Sequence, residues 1–348
     1  MNKKSKRKND LRSSIILLLI LLLLLISSTY AWFTANQTVT ISQFDVTIEA
    51  ANGLQISANA VDWKAILSNA DLAHDAEKAY SGNVNQIPTS MVPVSTAGAT
   101  NTNGQLVMYH GTVAANDAGV YALTSTLETD AAGTAGNYIA FDIFLKVDKA
   151  TDLELTNASS VVMNGNDKGI KQASRVAFVI QGNVEDSGAA TKDVIELNGG
   201  DTAKVYIWEP NANWHTAAAV THAKQTYGIN TTQSIDGTSV DPVEYYGVKD
   251  AINSPITLDQ TNNSTASTDY FKKVTPDYIT ESDKDGVMVI EEEGATGIDI
   301  FSLQKGITKV RVYMWVEGQD VDCEDMASGT GISYNLQFQV APDKVVTP

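Results

Sequence analysis

Cysteine occurs once, at Cys323, so the chain has no intramolecular disulfide and no multi-cysteine metal site. Histidine occurs only at 74, 110, 215 and 222, never in the HExxH spacing of a metalloprotease helix, and neither a GxSxG elbow nor a Walker A loop is present. Eight prolines exclude a collagen-like or linker-dominated chain. Basic residues are also few. The 24 Lys and Arg stand against 41 Asp and Glu, a formal net charge of −17, and Lys3, Lys4, Lys6, Arg7, Lys8 and Arg12 are gathered at the N-terminus. The remainder is therefore strongly acidic. Such a body repels phosphate backbones, which excludes nucleic acid as a partner, and it leaves divalent cations as plausible ones.

What the chain does have begins behind Arg12. Residues 15–26, IILLLILLLLLI, form one apolar run, too short for a bilayer span of about 20 residues but suited to the core of a signal peptide. Thr29 and Ala31 then place small residues three and one before a cut that would start the mature chain at Trp32. The alternative is an uncleaved anchor over Ser13–Phe33, since no charge falls between Arg12 and Asp45. A pilin-type leader lacks support, because no glycine precedes the run and no glutamate lies just inside it.

From Thr38 the pattern becomes β. Val39 and Ile41 alternate with threonine, and Phe44, Val46 and Ile48 alternate with polar residues. The phase slips at Ser42–Gln43, which predicts a bulge or a break. One helix is expected near residues 60–70, where Trp63, Ile66, Leu67 and Ala70 share a helical face. Further strands are expected at 105–110, 119–125, 138–147, 174–181, 203–209 and in DGVMVIEE and TGIDIFSL. Residues 228–286 read as an irregular polar excursion. TKVRVYMWVEG and GISYNLQFQV read as two half-buried strands, paired antiparallel and joined by an acidic loop. The expected architecture is all-β: one antiparallel sandwich or jelly-roll domain over residues 32–348, preceded by a hydrophobic leader helix in 1–31.

Candidate chemistry is sparse. The loop EGQDVDCEDMASG carries Glu317, Asp320, Asp322, Glu324 and Asp325 without a compensating base. It reads first as a solvated acidic loop, with Asp320, Asp322, Glu324 and Asp325 as calcium ligands in the alternative reading. Its glycines do not fit an EF-hand. Cys323 among these carboxylates is a poor nucleophile and is expected to be packed and inert. Trp208 and Trp214 bracket a proline turn. They are expected to pack on the sheet, the alternative being an adhesin surface that stacks on sugar rings. His215 and His222 lie seven apart with no evident acid partner. No catalytic constellation emerges, so neither an enzyme nor a cofactor is expected.

The basic leader, leucine-rich core, TYAWFT and immediate strands resemble the start of the TasA/camelysin group of exported Gram-positive proteins, and the ending VYMWVEGQDVDCEDMASGTGISYNLQFQV looks like theirs. The resemblance covers about forty residues at the start and thirty at the end, with Ala31, Trp32 and Phe33 at the leader junction. It implies processing by a SipW-type signal peptidase and a jelly-roll subunit of an extracellular fibre or cell-surface layer. It also implies that the mature N-terminal segment can complete a neighbour's sheet, with Val39, Ile41, Phe44, Val46 and Ile48 as the exchanged strand. The metalloprotease activity described for camelysin-like proteins is not carried over, because no zinc ligand set is visible.

Overall fold

A computed structural model describes residues 41–48, 54–77, 79–115, 121–156, 158–164, 169–185, 191–210, 215, 217, 219–220, 245–257, 269–274, 287–291, 298–320, 322–323 and 331–340. The leader in residues 1–31, with Thr29 and Ala31, lies outside them, as do Trp32 and Val39. So do Trp214, Glu324 and Asp325. Among the described residues no helix is long and apolar enough to cross a membrane.

The protein is all-β. In chain order its strands are β1 (Ile41–Ile48), β2 (Gln55–Ser57), β3 (Ile66–Ser68), β4 (Val94–Ser95), β5 (Met108–Ala115) and β6 (Tyr121–Glu128). Next come β7 (Ile139–Val147), β8 (Thr151–Leu155), β9 (Ser160–Asn164), β10 (Ser174–Val184), β11 (Val205–Glu209) and β12 (Tyr245–Val248). The last are β13 (Ile256–Thr257), β14 (Phe271–Val274), β15 (Val287–Glu291), β16 (Ile298–Leu303), β17 (Gly306–Val316) and β18 (Gly331–Val340). Among the described residues, the short helices α1 (Asn69–Leu72) and α2 (Thr191–Ile195) interrupt them.

Two six-stranded sheets dominate. One has the order β16-β8-β18-β1-β3, with β9 also on β18; the other has the order β15-β11-β10-β17-β7-β2. Pairing is antiparallel except at β1–β18 and β11–β15, which are parallel. Both sheets feed one apolar cluster: Leu153, Leu155, Leu336 and Phe338 from the first meet Phe141, Phe178, Trp208 and Val312 from the second. The second sheet is covered on its other face too. There Ala177, Val205, Ile207, Tyr313 and Trp315 pack with Val94 of β4, Met108 of β5 and Val274 of β14. A continuous apolar run such as Val176–Ile180 is what a strand buried on both faces requires.

Three expectations are corrected here. The pair at the end of the chain does not pair: β17 lies between β10 and β7, whereas β18 lies in the other sheet beside β1, β8 and β9. β18 is half-buried, as its alternation predicts, but every residue of β17 is buried. The helix near 60–70 is also displaced. Ile66 is 57% exposed and Leu67 1%, an alternation that belongs to a strand, and β3 pairs with Asp45–Thr47 of β1. α1 starts only at Asn69, where the Asp71 carboxylate accepts the Ser68 N–H at 3.1 Å and pairs with Lys64. Finally, the expected excursion 228–286 carries strands. β12 pairs with β14, and β13 pairs with β6.

Candidate functional site

The first strand is seated as the sequence pattern requires. Phe44, Val46 and Ile48 stand in register with Tyr334, Leu336 and Phe338 of β18, and Ile41 with Ile332. The register shifts between Ile41 and Gln43, so the extra residue is Ser42, where the phase slip predicted a bulge. The β18 partners are all buried. On its other side β1 meets β3 at three positions only, Asp45 to Thr47. Of the expected exchange segment, Ile41, Phe44, Val46 and Ile48 therefore lie in one strand that joins the start of the described chain to its end.

The acidic loop is not solvated where it is described. Glu317, Asp320 and Asp322 are all buried. Asp320 Oδ2 pairs with Arg175 Nη2 at 2.5 Å, and Arg175 Nε lies 2.9 Å from Glu209 Oε1. Asp322 Oδ2 lies 2.5 Å from His215 Nδ1, which supplies the acid partner that the sequence did not reveal. Since Asp320 and Asp322 hold Arg175 and His215, they are not assigned as ligands of a calcium ion. Among the described residues no group of three His, Cys, Asp or Glu side chains is placed to hold a metal. Cys323 is buried in the main apolar cluster, as expected.

Sequence reading missed a second polar group, which runs along β17. Arg311 is buried between Asp142 on β7 and Asp130. Its Nη1 donates to Asp142 Oδ1 at 2.9 Å, its Nε to Asp130 Oδ2 at 2.8 Å and its Nη2 to the Val84 carbonyl at 2.9 Å. The Tyr138 and Tyr313 hydroxyls donate to Asp130 at 2.7 and 2.9 Å, and the Tyr80 hydroxyl donates to Asp142. Lys309 Nζ donates to the Ile195 and Leu197 carbonyls at 2.7 and 3.2 Å. Burial pushes the Asp142 carboxyl up, but Arg311, Lys309 and Tyr80 outweigh it and hold the group below its usual range. Burial pushes Lys309 down more than Asp142 raises it. A cleft of about 390 Å³ opens beside this group, lined by Tyr80, Asn103, Gln181, Asn198 and Lys309 among others. Two of its amides are engaged: Gln181 donates to the Gly104 carbonyl and accepts from Gly199, and Asn198 accepts from Gly200. The charged groups here, Arg311, Lys309, Asp130 and Asp142, each have protein partners, and that network stiffens the sheet.

No family model, curated protein or solved structure matches this chain.

Trp208 is fully buried in the main cluster, so its ring cannot stack on a sugar, and the adhesin reading loses that residue. The signal for the Arg311 group was present in the alternation Lys309, Arg311, Tyr313, Trp315. A polar-aromatic face with two cations reads as solvent-facing, and only the position of Asp130 and Asp142 turns it inward.

Proposed function

We propose that this chain is an exported, non-enzymatic structural protein of the cell surface or biofilm matrix. Its body is a single β-sandwich of the jelly-roll kind, and copies join into fibres by exchange of the N-terminal strand. The observation that carries this reading is the seat of β1. It pairs with β18 along most of its length and with β3 at three positions only. A strand at the start of the described residues can leave that seat and enter the same seat on a second copy, making the same backbone bonds there. Because each subunit then gives at one site and accepts at another, the contact propagates into a filament. The leader in residues 1–31 supports export, by a SipW-type peptidase cutting before Trp32 or as an anchor that stays in the membrane.

Two measurements test this. The N-terminal residue of the protein recovered from outside the producing cell should be Trp32; recovery from the cytoplasm alone would reject export. Electron microscopy of the purified protein should show fibres that disappear when residues 32–48 are deleted, and fibres that survive the deletion would reject strand exchange.

A further inference from the structure

The cleft beside Arg311 has a rim and a floor of different character. Its rim includes two Asn-Gly turns, Asn101–Gln105 between β4 and β5 and Leu197–Gly200 between α2 and β11. Gln181, buried on β10, ties them together: its Nε2 donates to the Gly104 carbonyl at 2.7 Å and its Oε1 accepts from Gly199 N at 3.3 Å. The turns touch at Gly104, which has φ +68°, and a Cβ there would collide with Gln181 and with Asn198 Oδ1. Each turn is also closed on itself. Asn101 Oδ1 accepts from Asn103 N and Gln105 N at 2.9 and 3.1 Å, and Asn198 Oδ1 accepts from Gly200 N at 2.8 Å.

These turns leave amide groups unused. Among the described residues the side chain of Asn103, the Nε2 of Gln105 and the Nδ2 of Asn198 have no hydrogen-bond partner, and all three residues line the cleft. The floor has no charge to spare. Lys309 Nζ is bound to the Ile195 and Leu197 carbonyls with Asp142 3.7 Å away, and Arg311 is divided between Asp142, Asp130 and Val84. An anion would find no free cation there, and the exposed Glu196 in the lining repels one. A primary amide instead sets a donor beside an acceptor. That pattern matches neighbouring hydroxyl groups, each of which donates and accepts. Val84, 38% exposed, and Leu197 add an apolar patch suited to the C–H face of a sugar ring.

We propose that this cleft binds a neutral sugar unit, held by the unused amides of Asn103, Gln105 and Asn198. Its volume of about 390 Å³ lies within the range of small-molecule sites. Gln181 and the two closed turns hold the rim in place before any ligand arrives, so little ordering cost is left for binding. The inference rests on neither export nor fibre formation.

Amide chemical shifts of the full chain, followed by NMR, test it. At least one of glucose, galactose and N-acetylglucosamine should move the Gly104, Gly199 and Gly200 amides saturably, with a Kd of about 1–10 mM. Asn103→Ala removes one free amide at an exposed position. Asn198→Asp keeps the oxygen that holds Gly200 and loses the free donor. Each should weaken that binding about three- to tenfold while the β7 and β17 amides keep their positions. No saturable movement with any of the three sugars at about 100 mM would overturn the site, and this needs no variant to fold. Shifts confined to other parts of the chain, or wild-type affinity in both variants, would also overturn it. So would tighter binding of glucuronate than of glucose, which would make this an anion site.

Discussion

Arg311 and Asp142 face each other across the β17–β7 pair, 2.9 Å apart and both buried. Together with Asp130 they form an ion triad inside a sheet that is covered on both faces. Removing the cation would leave Asp130 buried without its counter-charge and Asp142 with only Lys309, 3.7 Å away. Arg311→Met is therefore expected to cost about 3–5 kcal/mol in a urea titration. Adding Asp142→Asn should recover part of that loss, because the two groups are coupled.

The bulge at Ser42 makes a prediction about register. Ser42 is the extra residue between Ile41 and Gln43, so its deletion leaves Phe44, Val46 and Ile48 opposite the same β18 partners. Deletion of Thr47 instead shifts every earlier residue of β1 by one and turns the alternate set to the other face. Thermal unfolding should separate the two, with the Thr47 deletion lowering the midpoint by at least about 5 °C more than the Ser42 deletion.

Stability should be greatest in mildly acidic solution. Asp142 is held below its usual value of 3.8 by Arg311, Lys309 and Tyr80 despite burial, and Asp71 is held below it by Lys64 and Ser68, again despite burial. Their contribution is present above that value and is lost as pH falls through their lower folded values. Glu317 has the opposite sign, and its contribution disappears between pH 4.5 and about 7. Urea midpoints measured from pH 2.5 to 8 should therefore decline on both sides. Asp142→Asn should flatten the acid side only.

Cys323 is the sole thiol and is buried in the main cluster. A chromogenic disulfide reagent at pH 6 should react with the native protein at least about a thousandfold more slowly than with the protein in urea, where one thiol per chain should be titrated.

Much of the strand content was legible in the sequence because a strand's period of two is a local property. β18 and the phase slip in β1 were readable from side-chain alternation alone, and β10 from its unbroken apolar run. The helix near 60–70 failed because a short apolar set fits either period, and pairing of β3 with β1 decided between them. β17 was misread for a different reason. Lys309 and Arg311 look solvent-facing until Asp130 and Asp142 arrive from elsewhere in the chain.

The sequence by itself determined that this is an all-β protein with no intramolecular disulfide, and it marked where the first strand slips in phase. Only the tertiary structure decided which strands are neighbours, that β1 runs parallel to β18, and that Glu317, Asp320 and Asp322 turn inward. The physical reason is that alternation fixes which side chains share a face. Burying a charge is tolerable only beside a partner, and here Arg175 and His215 lie more than a hundred residues away along the chain.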